Sequence, residues 1–278
     1  MHHTACSAAR LSLLFTFALA SACAAGGPPD IGAEPVEDRD AERASDEVLA
    51  QIDDASVRWS ASCPQPHALG LCVRFVATPD GTPTCESPAL GRVEVVERDR
   101  SALEAEGDLR DALAMAEQVE PPSDPEALAH WRAELGRARL ATIDAALEDY
   151  FSLDMPTAQE DFAVYFKEKT QQGQVLISDL AAVKQIGDEA AVVRAALRTA
   201  WVSGHFVDQL VGAEVPAQLI DEGRSEEYCA VLREQTVGPS QVAMSAASYC
   251  SDRAAEAGFE GPEVEACARL ESAWSTER

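Results

Sequence analysis

From residue 101 onward, apolar side chains recur at steps of three and four, with polar residues between them. That period places positions i, i+3, i+4 and i+7 on one face of a helix. The first such pattern covers 102–118. PPSDPEA then interrupts it, with Ser123 or Asp124 placed to cap the next helix and Pro125 in its first turn. Leu128, Trp131, Leu135, Leu140, Ile143, Leu147 and Tyr150 mark a long helix. It should stop at Met155-Pro156, because proline disfavours helix in the residue before it. Phe162, Phe166, Leu176, Leu180 and Val183 mark another over 157–186. The cleanest stripe, Val193, Leu197, Ala200, Gly204, Val207 and Val211, covers 188–211, and Pro216 closes that section. Three shorter helices follow at about 217–236, 240–257 and 262–276, with GPS at 238–240 and GFEGPE at 258–263 read as turns.

The first hundred residues follow other patterns. Val48, Ile52, Ala55 and Trp59 repeat at helical spacing, which predicts a helix from about Ala41 to Trp59. LCVRFVAT and RVEVVERD alternate as two strands do, with PDGTP as a turn between them. Cys63, Cys72 and Cys85 crowd this small segment. Upstream, Gly, Pro and acid dominate, as in a flexible tether. The leader has one charge at Arg10, an apolar run at 11–20 and the small residues Ser21 and Ala22, which is the layout of a secretory signal. Its ten apolar residues fall short of the roughly 20 that span a bilayer.

The run L-A-S-A-C ending at Cys23 resembles the lipobox of bacterial lipoproteins. The resemblance implies that Cys23 is acylated and becomes the first residue of the mature chain, and that Cys6 is discarded. Acyl chains at about 0.8 kcal/mol per buried CH2 would then anchor the protein to a bilayer. Ala24 after the cysteine, rather than Asp, points to the outer membrane by analogy with enteric bacteria, with the protein facing the periplasm. The chain thus divides into a leader (1–22), an acidic tether (23–40), a Cys-rich segment of helix plus hairpin (41–100) and a helical domain (101–278). The expected fold is mainly α, an antiparallel helical hairpin array or bundle of tetratricopeptide-like kind, with a small two-stranded segment near its start.

Charge narrows the partners. The chain holds 48 acidic against 22 basic residues, a net charge of −26. Nucleic-acid affinity rests on Lys and Arg neutralising phosphates, so nucleic acid is excluded as a partner. Anionic lipid head groups would repel the chain as well, which leaves an acyl anchor as the route to a membrane.

The C-terminal part carries AEVP, EEYCAVL, AASYC and EACARLESAW in that order, with Pro216, Tyr228, Cys229, Tyr249, Cys250, Cys267 and Glu271 at the marked positions. This order resembles uncharacterised tetratricopeptide-like envelope lipoproteins of myxobacteria and relatives, over about 125–278. The resemblance implies a helical lipoprotein scaffold and brings no catalytic residue with it.

Candidate chemistry is sparse. Outside the leader and Cys23 there are six cysteines, and in an exported chain disulfides are the default. They fall three and three, so full pairing needs at least one bridge between Cys63, Cys72 or Cys85 and the C-terminal Cys229, Cys250 or Cys267. Cys229–Cys250 fits a helix pair turning at Gly238-Pro239, and Cys250–Cys267 fits one turning at Gly258; the first is the expected pairing, with Cys267 tied back to the N-terminal segment. Zinc on Cys63, His67, Cys72 and Cys85 is disfavoured by the loose spacing. A Cys63 nucleophile with His67 as its base is disfavoured too, since such pairs come from distant parts of a chain. Ser203 and His205 lie within a helical stripe and read as packing residues. The pairs Glu148/Asp149 and Glu226/Glu227 read as solvated helix surface. No nucleotide, dinucleotide, zinc-protease or EF-hand motif occurs, and no cofactor is expected. The expected role is therefore a non-enzymatic scaffold for an envelope protein partner. The alternative is a ligand- or peptide-binding lipoprotein with a pocket built from Trp131, Tyr150, Phe162 and Trp201. An enzyme without a recognised motif ranks last.

Overall fold

The computed structural model describes residues 36–67, 69–76, 83–154 and 159–275. The leader, Cys23 and the first part of the tether lie outside the described residues, as does most of PDGTP. The described residues are mainly helical, with one two-stranded antiparallel sheet.

Helix α1, Val36–Ala61, begins earlier than about Ala41. After Pro35 the run VEDRDAERA contains no glycine or proline, so nothing delays the helix. Its Ile52, Ala55 and Trp59 are buried in one cluster with Leu109 of α2 (Ser101–Ala116) and Trp131 of α3 (Pro125–Ser152). Residues 41–100 therefore share a core with the helices that follow. Asp124 caps α3, its carboxylate accepting from the N–H groups of Glu126 and Ala127 at 3.0 and 2.9 Å, with Pro125 at the first helical position.

Strand β1 (Val73–Val76) pairs with β2 (Arg92–Val95), Val73 opposite Val95 and Val76 opposite Arg92. The link between them is no simple turn. From Pro83 it runs beside residues 211–215, with Val215 N–H donating to the Pro83 carbonyl and Glu86 N–H to that of Val211, both at 3.0 Å.

Helix α4 (Gln159–Ala182) passes into a 3-10 turn at Val183–Ile186, and Gly187 reverses the chain at φ 78°. Helix α5 (Glu189–Val211), capped by Asp188, is buried around almost its whole circumference. It packs against α3, α4 and the later helices α7 (Ser225–Ala257) and α8 (Pro262–Ser275), which makes it the axis of the described helices. A helix apolar on all sides needs such a position. Its one buried cation, Arg198, donates to both oxygens of Asp144 on α3, at 2.5 and 2.8 Å.

The C-terminal third departs from the sequence pattern. After a short α6 (Ala217–Asp221), α7 is continuous from Ser225 to Ala257 with Pro239 inside it, and α8 covers Pro262–Ser275. GPS is not a turn. Cys229, Leu232, Thr236, Ala243, Ala247, Cys250 and Ala254 form one buried stripe that keeps its phase across Gly238-Pro239. Its packing along α5 outweighs the roughly 3 kcal/mol that an interior proline costs.

All six cysteines pair, as Cys63–Cys72, Cys85–Cys229 and Cys250–Cys267, with Cα separations of 5.6, 5.3 and 5.9 Å. Cys229–Cys250 is impossible here. Both lie on α7, and a rise of 1.5 Å per residue sets them about 31 Å apart. Cys267 pairs with Cys250 and not with the N-terminal segment. Cys85–Cys229 is the bridge between the two halves, while Cys63–Cys72 closes its own loop.

Candidate binding groove

Helices α4 and α7 both pack on α5 yet make little contact with each other. Between them lies an open groove floored by α5, divided into two lobes of about 640 and 290 Å³. Ile177 of α4 and Val242 of α7 line both lobes and form the waist between them. The floor of lobe 1 is Ala195, Ala196 and Thr199; the floor of lobe 2 is Val202, Ser203 and Phe206. On α7, Gln235, Pro239, Val242, Ala246 and Tyr249 recur at steps of four, three, four and three, with Gly238, Gln241 and Ser245 beside them in the lobe 1 lining. No Asp or Glu among the described residues lines either lobe, although the chain holds 48 of them.

Cations stand at the two ends. All three lysines of the chain, Lys167, Lys169 and Lys184, lie on α4 or its 3-10 extension, and two of them line the groove. Lys184 lines lobe 1 from an exposed position, its ammonium 4.3 Å from the centroid of the Tyr249 ring. Lys169 is fully buried beside lobe 2. Its ammonium donates to the carbonyls of Tyr150 and Leu153 at the C-terminal end of α3 and sits 3.9 Å from the centroid of the Tyr150 ring. A cation there meets the negative end of the helix dipole. Burial pulls the Lys169 amine down to about 7, against the opposing pull of Asp154. Thr170 Oγ1, also in the lobe 2 lining, is buried without a hydrogen-bond partner.

The residues singled out in the sequence do not converge. Trp131 belongs to the cluster under α1, Tyr150 and Trp201 to the central core, and Phe162 to a small cluster with Phe166 and Phe206. Phe162 lines a separate cavity with Pro216 and Tyr228. Tyr150 reaches lobe 2, its hydroxyl donating to the Val202 carbonyl at 3.0 Å. His205 is 2% exposed, edge-on to Tyr150 and Phe151. Burial, and then the nearby Lys169 charge, hold it well below the usual histidine range. Cys63 and Cys72 are spent in their disulfide, which removes both the nucleophile and the zinc readings. His67 is a loop residue whose Nδ1 accepts from Leu69 N–H at 3.3 Å and whose ring packs on Phe75 and Trp201.

Glu148 is not solvated surface. It is buried, its oxygens accept two bonds of 2.7 Å from Arg98, and Cys72 N–H donates to it at 2.7 Å. Arg98 in turn lies 3.7 Å over Trp59. This network ties α1, the disulfide loop and α3 together. Glu226 and Glu227 are exposed, paired with Arg233 and Arg224. Of the groove residues, Tyr150, Phe166, Leu180 and Tyr249 stand at positions the sequence pattern marks, and the others sit in ordinary helical stripes. A sequence signal for the groove is the confinement of all three lysines to residues 167–184. The chain matches no known protein family, no curated protein and no solved structure.

Proposed function

We propose that this chain is a non-enzymatic binding protein of the cell envelope, anchored by an acylated Cys23, that serves as a helical scaffold for a partner protein. The observation that carries the reading is the groove over α5, which is open along its length and, among the described residues, free of acid in a strongly acidic chain. Open apolar grooves between helices suit a protein segment better than an enclosed small molecule. The leader and the L-A-S-A-C run support export and acylation. No helix among the described residues is long and apolar enough to cross a membrane. The helical hairpins around α5 support a tetratricopeptide-like arrangement in the loose sense of stacked antiparallel pairs.

The test places a photo-crosslinking residue at Gln241, on the α7 wall of lobe 1, in native membranes. The expected result is one or a few envelope proteins captured in light, and lost when Thr199→Trp fills the floor. Capture no greater than that of an unrelated lipid-anchored control would refute the reading.

A further inference from the structure

Helices α5 and α7 present matching repeats to the groove. Each floor position of lobe 1 has its counterpart seven residues later in lobe 2: Ala195 with Val202, Ala196 with Ser203, Thr199 with Phe206. Seven residues are two helical turns, so the lobes are about 10.5 Å apart along α5. The α7 wall alternates steps of four and three through the waist, which is the spacing of a helix-packing seam. The lobes are therefore spaced as the i and i+7 side chains of a helix lying along α5. An acyl chain has no such repeat and no reason for a waist. Charge also selects. The groove lacks acid while Lys184 stands exposed at the rim of lobe 1, in a chain of net charge −26.

Resting on the binding reading above, we propose that the occupant is an amphipathic helix of a partner protein. It seats large apolar residues at i and i+7 in the two lobes and carries an acidic residue one turn from the lobe 1 anchor, facing Lys184. The helix would complete a four-helix packing in which α4, α5 and α7 supply three members. The acid would contribute orientation more than affinity, because a rim ion pair in water is weak.

The probe is a dansylated helical peptide with Leu at i, i+3, i+4 and i+7 and Glu one turn before the first Leu, titrated by anisotropy against the full mature chain. Its controls are a peptide of the same composition with the leucines scattered around the helix, and oleate as competitor. The patterned peptide should bind saturably, at least about tenfold more tightly than the scattered one. Lys184→Glu should weaken it about fivefold and improve a Lys-for-Glu peptide by a similar factor. Thr199→Trp should abolish binding while leaving the melting temperature within a few degrees, which separates blocking from unfolding. Equal binding of both peptides, no response to the charge swap, or a groove that takes oleate and excludes the helix would overturn the proposal. So would a dimer of the chain that the peptide cannot dissociate. If Gln241 captures a partner in membranes and the patterned peptide still fails, the binding reading stands and the helical occupant falls.

Discussion

Lys169→Met gives the sharpest test of the groove's electrostatics. In the folded chain the amine sits at about 7; in the unfolded chain it returns to about 10.5. Between those values the unfolded chain holds one more proton, so stability rises with pH at up to about 1.4 kcal/mol per pH unit. Over the whole interval the gain reaches at most roughly 5 kcal/mol, and from pH 7 to 9 about 2 to 3 kcal/mol. Below pH 7 both states are protonated and the cost of burying the charge is fully present. Methionine fills the same space without a charge, at the expense of the ammonium's bond to the Leu153 carbonyl and of its share of the Tyr150 carbonyl, which keeps the Leu153 N–H as a donor. The assay is urea denaturation of both chains at pH 6.5, 7.5, 8.5 and 9.5, without reductant. From pH 7.5 upward His205, held below the usual histidine range mainly by burial, is neutral in both chains, and titrations remote from Lys169 cancel in the difference between the two curves. Wild type should gain on the variant steadily above pH 7. Parallel curves from pH 7 to 9 would show that the ammonium, held by two carbonyls and an aromatic face, is no worse off inside the protein than in water.

Other perturbations test the frame that builds the groove. A methyl group at Gly204 would lie 1.9 Å from Trp274 Cη2, so Gly204→Ala should cost roughly 2–4 kcal/mol by thermal melting, and almost nothing more in a Trp274→Ala background. Glu148→Ala strands the buried Arg98 and should cost about 3–5 kcal/mol, whereas Glu226→Ala on the surface should stay within about 0.5. Serine at both Cys85 and Cys229 opens a loop of 144 residues and should cost up to about 5 kcal/mol, against about 3 for either of the shorter loops, read from urea midpoints.

Period and capping made most of the helices legible. Asp124-Pro125 and the stripe over 188–211 announce themselves because local chemistry and tertiary burial agree there. Glu148 shows where such reading stops. An acid beside another acid on a helix looks solvated until Arg98, 50 residues away, folds over it. The cysteines failed for a related reason. Their parity forced a bridge between the halves, but the choice of partners depended on whether residues 238–240 turn the chain.

That same tripeptide explains why the groove exists. If Gly238-Pro239 had turned the chain, α7 would have folded back on itself and paired Cys229 with Cys250. Instead the helix runs straight past, held to α5 by Leu232 and Thr236 on one side and by Ala243 and Ala247 on the other. Proline has no N–H, so the Gln235 carbonyl one turn earlier has no i+4 donor. Gln235 and Pro239 both line lobe 2. Gly238, where an added Cβ would meet nothing within 4 Å, leaves the α7 wall low beside lobe 1, and Val242 at the waist is 40% exposed. A residue pair that reads as punctuation therefore acts as relief in a continuous wall. Pro239→Ala should restore the missing hydrogen bond and stabilise α7, and it should weaken the patterned peptide if the guest helix packs against the proline ring. A variant that gains stability and binds the peptide unchanged would show that the ring is a tolerated defect, with no part in the seat.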